Sequence, residues 1–279
     1  MNNNYHIASI HEQGCGAFNE DACHVGNNTF AVLDGASSLN GDLFSGKSGA
    51  WWAAHTACNT IAKADQNAAI TDSSDLQQAM QRANDELQSM MQEHHIDTSA
   101  AENVWSTCAA AVTISNGEIH WSQIGDALLI AIDHQGNHFL PAPYHNHDRT
   151  TLTKWKALAQ SSNANVFSEL LPDIIAVRRE MNKSYGVLNG DSKMTRFLKT
   201  GTLQRKDVAE LLLFTDGLHI PSEDPDSKGD FSELVQKYQQ YGLHGLRDEV
   251  RKIEEIDPNC CLYPRFKQHD DIAAIALSF

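Results

Sequence analysis

Positive charge is scarce in this chain of 279 residues. Lysine and arginine number 21 against 36 aspartates and glutamates, a formal net charge of −15, and neither basic residue occurs before Lys47. Such acidity disfavours the phosphate backbone of nucleic acid and anionic membrane surfaces as main partners. Long apolar runs are also missing, since Ala127–Ile132 and Leu211–Phe214 fall far short of the roughly 20 residues needed to span a bilayer. Met1 to Ile10 lack the basic-then-apolar order of a secretory signal. Six scattered cysteines, two of them adjacent at Cys260 and Cys261, make no disulfide framework. The expectation is a cytoplasmic protein with reduced thiols. There is no linker rich in Pro, Gly or Ser and no internal repeat. No Gly-rich phosphate loop and no Gly-x-Ser-x-Gly elbow occurs, which removes the NTPase and serine-hydrolase classes.

What the chain does have is an ordinary globular composition, 41% hydrophobic, and strands that arrive in clusters. Thr29–Leu33 reads as a buried strand that stops at Asp34-Gly35. Leu43–Ala64 reads as a helix, followed by a second with Leu76, Met80, Ala83, Leu87 and Met90 at helical spacing and a capping box of Ser74 and Gln77. Cys108–Ile114 and Glu118–Ile124 flank Asn116-Gly117, a strong hairpin signal. Ala127–Ile132 and His138–Leu140 extend this into an expected antiparallel meander. Residues 141–200 are polar and irregular and read as an insertion. Leu211–Thr215 is the next strand, Phe231–Ile256 a helix broken near Gly242 and Gly245, and Ile272–Ser278 the last strand. A single domain over 1–279, with 141–200 inserted, is expected.

The acids lie where these strands end. Asp34, Asp126, Asp216 and Asp270 each stand at the boundary of an apolar run, three of them beside a glycine. One Asp-Gly alone is a turn. Four carboxylates at the ends of buried strands repel one another unless a cation lies between them. Hard divalent cations with oxygen ligands suit such a cluster.

Several segments resemble the metal-dependent protein phosphatase family, type 2C. They are Asn19-Glu20-Asp21-Ala22, Phe30–Ala36 with Asp34-Gly35, Ser106-Thr107-Cys108-Ala109, Ile124-Gly125-Asp126, Leu211–Leu218 with Thr215-Asp216-Gly217, and His269-Asp270-Asp271-Ile272-Ala273. They occur in the family's order. The resemblance implies an α+β sandwich of two antiparallel sheets flanked by helices, with 141–200 as a flap. It implies two ions of Mn²⁺ or Mg²⁺ and possible room for a third. Asp34, the Gly35 carbonyl, Asp216 and Asp270 would be their ligands, with Asp126 at the third site. Glu20 and Asp21 would hold coordinated water, and Asp271 would neighbour the site. Asp34, Asp216 and Glu20 thereby become the catalytic candidates. The implied reaction is hydrolysis of phosphoserine or phosphothreonine in proteins by a metal-bound hydroxide. The implied partners are a phosphorylated protein, a cognate Ser/Thr kinase or its targets.

Two departures stand out. Gly16 occupies the position of the family's phosphate-gripping arginine, and Ala36 that of a histidine assigned to protonating the leaving group. Arg178 and Arg179, with Lys183, are the substitutes considered for gripping phosphate. The alternative is a weak or inactive relative serving as a regulatory binding module. A zinc site at His145-Asn146-His147-Asp148 is disfavoured because it lacks further ligands.

Overall fold

The computed structural model describes residues 5–161, 165–225 and 229–279; residues 162–164, inside the expected insertion, lie outside them. Seven residues, His6–Glu12, form β1, and Asp21–Val25 form β2. Strand β3 (Thr29–Gly35) follows. Leu43–Phe44 and Lys47–Ser48 make a small ribbon, β4 and β5. The helix expected from Leu43 therefore starts later, as α1 (Gly49–Gln66), where the Ser48 side chain accepts the Trp51 N–H at 3.1 Å. Ser45 and Gly46 take φ of 50° and 79°, which closes the ribbon and prevents an earlier helical start. In α2 (Ser73–Glu93) the cap is Asp72, accepting from the Ser74 and Asp75 amides, rather than the expected box at Ser74. A carboxylate ahead of the helix can satisfy two orphan N–H groups at once.

The hairpin of β6 (Thr107–Ser115) and β7 (Glu118–Ile124) turns on Asn116 and Gly117, both at positive φ. The expected meander ends there. Strand β8 (Leu128–Ile132) lies in the other sheet, paired with β9 (His138–Phe139). It is buried along its whole length, so its pattern could not reveal which sheet it joins. Helices α3 (Arg149–Ser161) and α4 (Val166–Arg178) fill much of the segment read as an insertion. After β10 (Lys199–Gln204) and β11 (Glu210–Phe214) comes α5 (Ser232–Ile256), bent at Gly242 with φ 71°, and then β12 (Ile272–Ser278).

Two antiparallel five-stranded sheets face each other. Their orders are β1-β12-β11-β8-β9 and β10-β7-β6-β3-β2. Alternation along β3 explains why its apolar run is unbroken. Phe30 and Val32 point between the sheets, against Leu129, Leu213 and Ile275, while Ala31 and Leu33 meet α1 and α2 through Ala54, Ile61 and Met80. Small side chains such as Ala109 and Ala111 let those helices approach closely. On the far side Leu212 and Phe214 pack under Leu234, Leu246 and Val250 of α5. Each large side chain buried in these layers is worth about 1.5–3 kcal/mol. The result is a mixed α+β sandwich of two antiparallel sheets between helical layers, as expected from sequence.

Candidate active site

Strand register brings the acids to one end of the sandwich. Asp21 at the start of β2 stands opposite Asp34 near the end of β3, and Asp34 stands opposite Cys108 at the start of β6. In the facing sheet, Asp216 follows β11 and Asp270-Asp271 precede β12, and those strands pair directly, Phe214 opposite Ala274. Asp126 lies at the crossing from β7 to β8, where Gly125 takes φ 76°. Asp21, Asp34, Asp126, Asp216, Asp270 and Asp271 all line one cavity of about 180 Å³, together with Gly35, Ser106 and Arg178.

The glycines of the Asp-Gly pairs serve packing. A Cβ on Gly35 would lie 2.5 Å from the carbonyls of Glu20 and Ala50, and one on Gly217 would lie 1.9 Å from that of Asp271. Neither takes positive φ, so close approach of backbones, and not turn geometry, demands glycine there.

The carboxylates perturb one another as buried like charges should. Asp34 titrates well above the usual carboxylate range because of burial, then repulsion from Asp216, Asp21, Asp126 and Asp270. Asp21 is raised likewise by burial and by Asp270, Asp271 and Asp216, against the hydroxyl of Thr215, which donates to it at 2.6 Å. Asp216 is pushed up to about 7 by desolvation and then by Asp270 and Asp126, against the lowering contacts of Asp34 and Lys267. Its amide donates to Asp34 at 3.4 Å. Asp126 runs the other way. Burial is outweighed by His147, the Cys108 thiol and His219, which hold it below its ordinary value; His147 Nε2 is 3.5 Å from both Asp126 and Asp148.

Other carboxylates organise the walls. Asp271 accepts the amides of Gly14 and Glu20, each at 2.7 Å, pinning the β1–β2 connection onto β12. Glu20 accepts the hydroxyls of Ser37 and Ser48 at 2.5 and 2.6 Å. Of the basic candidates, Arg178 borders the cavity and donates to the Ser37 carbonyl, and burial lowers its pKa. Arg179 and Lys183 are exposed and border a separate depression beside Ser99 and Glu102.

One base that the sequence did not single out stands among these acids. Lys267 Nζ lies 2.6 Å from Asp270 and 3.4 Å from the Ser37 hydroxyl. Despite the cost of burying it, Asp270 and the neighbouring acids hold its ammonium firmly charged. Its position three residues before Asp270 was the available signal. His147 was weighed only as a zinc ligand; its place beside Asp126 depends on a loop fold that spacing does not reveal.

Among the described residues, no three Asp, Glu, His or Cys side chains already converge as a closed metal cage. A hard dication keeps several waters and takes only one or two carboxylates directly. The donor set fits such an ion: all-oxygen, strongly acidic, and held at a free-energy cost that cations would relieve. The buried Ser106 hydroxyl on the cavity wall has no hydrogen-bond partner among the described residues, leaving it able to bind water there.

Comparison with known proteins establishes the fold and the family. A serine/threonine phosphatase from Mycobacterium tuberculosis, PstP/Ppp, superposes with a TM-score of 0.60 at 15% identity, covering 99% of this chain and 98% of that one. The catalytic domain of PstP in complex with two manganese ions gives 0.56 at 15% identity, over 99% and 97%. PppA from Pseudomonas aeruginosa, described as a key regulatory component of T6SS, gives 0.58 at 15% identity, over 99% and 98%. At these identities the likeness establishes the shared fold. No curated protein matches in a sequence search. The family model for Protein phosphatase 2C matches residues 11–251. With that match spanning most of its length, the chain belongs to the protein phosphatase 2C family of serine/threonine phosphatases.

Proposed function

We propose that this protein hydrolyses phosphoserine and phosphothreonine in protein substrates and depends on divalent cations to do so. The observation that carries the reading is the gathering of seven aspartates, Asp148 among them, from six separate stretches of chain around one cavity. Asp34, the Gly35 carbonyl, Asp216 and Asp270 would hold two ions of Mn²⁺ or Mg²⁺, with Asp126 serving a third. Such ions would make a nucleophile of water at neutral pH and offset charge on the transferring phosphoryl group.

The chain's own residues supply position. Thr215 orients Asp21 by its hydroxyl, Ser37 and Ser48 orient Glu20, and Asp271 clamps the loop that carries Glu20. In this reading Glu20 and Asp21 hold water in place rather than touching the ions. The whole chain works as one phosphatase domain, and residues 141–200 form its flap, with Arg178 linking that flap to the loop after Asp34-Gly35. No described helix is long and apolar enough to cross a membrane; a cytoplasmic phosphoprotein, a kinase or its target, is the proposed substrate.

The test is Mn²⁺-dependent hydrolysis of p-nitrophenyl phosphate and of a phosphothreonine peptide, with Mn²⁺ binding followed by calorimetry. Asp34→Asn and Asp216→Asn are each expected to lower activity by about a hundredfold or more and to weaken Mn²⁺ binding. Full activity in either variant would sink the metal-site assignment. A wild-type protein that neither binds Mn²⁺ nor hydrolyses phosphate esters would favour the regulatory-module alternative, which Gly16 and Ala36 motivate.

A further inference from the structure

We propose that Lys267 is the group that receives the substrate's phosphate in this site, an assignment that rests on the phosphatase reading above. A phosphate dianion entering a cavity walled by seven aspartates meets strong repulsion, so the site needs fixed cationic donors of its own. Among the described residues lining that cavity, the Lys and Arg side chains are Lys267 and Arg178.

Their surroundings divide the work between them. Arg178, half-buried, uses one of its five N–H donors on the Ser37 carbonyl, tying α4 to the loop 36–39, and it borders the acidic cavity but not the larger groove beside it. Lys267 carries three N–H donors, and its contacts among the described residues, to Asp270 and to the Ser37 hydroxyl, account for two. It also borders a second, larger groove of about 590 Å³ that shares Asp126, Asp216 and Asp270 with the acidic cavity. Lys267 thus stands where a phosphorylated side chain passing from the groove reaches the carboxylates.

The loop bearing Gly16 has no cation to offer, since residues 13–20 include neither lysine nor arginine. That loop is docked directly on the Lys267 segment, Cys15 N donating to the His269 carbonyl at 3.0 Å. A cation from residue 267 therefore enters the site from the segment next to the one that has none. The segment is held in place beforehand: Arg265 bonds Asp257 and the carbonyls of Glu254 and Tyr263, and Arg251 donates to the Asp270 carbonyl at 2.8 Å. Such rigidity is what a positioned phosphate donor requires.

Calorimetric titration of inorganic phosphate into the Mn²⁺-loaded protein tests the assignment, with Mn²⁺ affinity measured alongside. Lys267→Gln is expected to weaken phosphate binding, and to raise KM for p-nitrophenyl phosphate, about ten- to a hundredfold without weakening Mn²⁺ binding. Lys267→Arg is expected to recover most of the phosphate affinity. Unchanged phosphate affinity in Lys267→Gln, or a loss that merely follows a loss of Mn²⁺, overturns the proposal. A measurement on the wild-type protein covers the case of a variant that does not fold. Saturating phosphate should slow acetylation of Lys267, read by mass spectrometry, and an unaffected rate overturns the proposal equally. Absence of both Mn²⁺ binding and hydrolysis in the wild type would instead remove the phosphatase reading, and this assignment with it.

Discussion

Thr215 joins the two sheets through a single hydroxyl. Its Oγ1 donates to Asp21 of the opposite sheet at 2.6 Å and accepts the Ala273 amide at 2.9 Å, and all of this is buried. Asp21 is thereby held at the cavity floor although burial and its acidic neighbours disfavour its charge. Valine has the same shape without the hydroxyl, so Thr215→Val should leave two buried polar groups short of a partner. The expected cost is about 1–3 kcal/mol in urea unfolding of the metal-free protein, together with weaker Mn²⁺ binding. Unaltered unfolding would show that this contact contributes nothing to the site's rigidity.

The segment between α5 and β12 delivers both Lys267 and Asp270, and its shape depends on Asp257. That carboxylate, 7% exposed, accepts the amides of Cys261, Leu262 and Tyr263 and pairs with Arg265 at 3.1 Å. Burial pushes its pKa up, but the three amides and the guanidinium prevail and hold it below the usual range. A depressed pKa in the folded state means stability that is present above the unfolded value of about 3.9 and lost as pH falls through the folded one. Asp257→Asn should accordingly cost about 2 kcal/mol at pH 7, and its deficit against wild type should shrink as pH falls below about 4. Chemical denaturation at several pH values measures this. A deficit that stays constant down to acid pH would rule out the charged hydrogen bonds as its source.

For the molecule as a whole, the acidic cavity is a site of stored repulsion in a chain that already carries a net charge of −15. Divalent cations that bind only the folded form stabilise it by mass action. With Mn²⁺ at a hundred times its dissociation constant the gain is about 2.7 kcal/mol. For a chain of this size that corresponds to a melting temperature higher by roughly 5–10 °C. The rise should saturate with Mn²⁺, reverse with EDTA, be largely lost in Asp34→Asn, and not be reproduced by sodium chloride at matched ionic strength. Equal stabilisation by sodium chloride would point to general screening instead of a site.

Local pattern determined a good deal of this protein. Asn116-Gly117 located the β6–β7 hairpin because few residue pairs accept two positive φ angles in succession, and Ile272–Ser278 was legible as β12 from its apolar run. The edge strands β1 and β10 were not legible. They are largely exposed, β1 burying only Ile10, so neither has the alternation that marks a half-buried strand. The acids at strand ends were visible as a list, and the order of their motifs indicated the family. Their convergence was decided by pairing register and by the crossing at Gly125 that sends β8 into the opposite sheet. Which base answers them was decided there too. Lys267 is one more lysine in the chain, and Arg178 and Arg179 are indistinguishable neighbours, until packing buries one arginine against Ser37, turns the other to solvent and sets the lysine beside Asp270. Periodicity acts between residues near in sequence and is written there; charge acts through space, across segments that only the tertiary fold brings together.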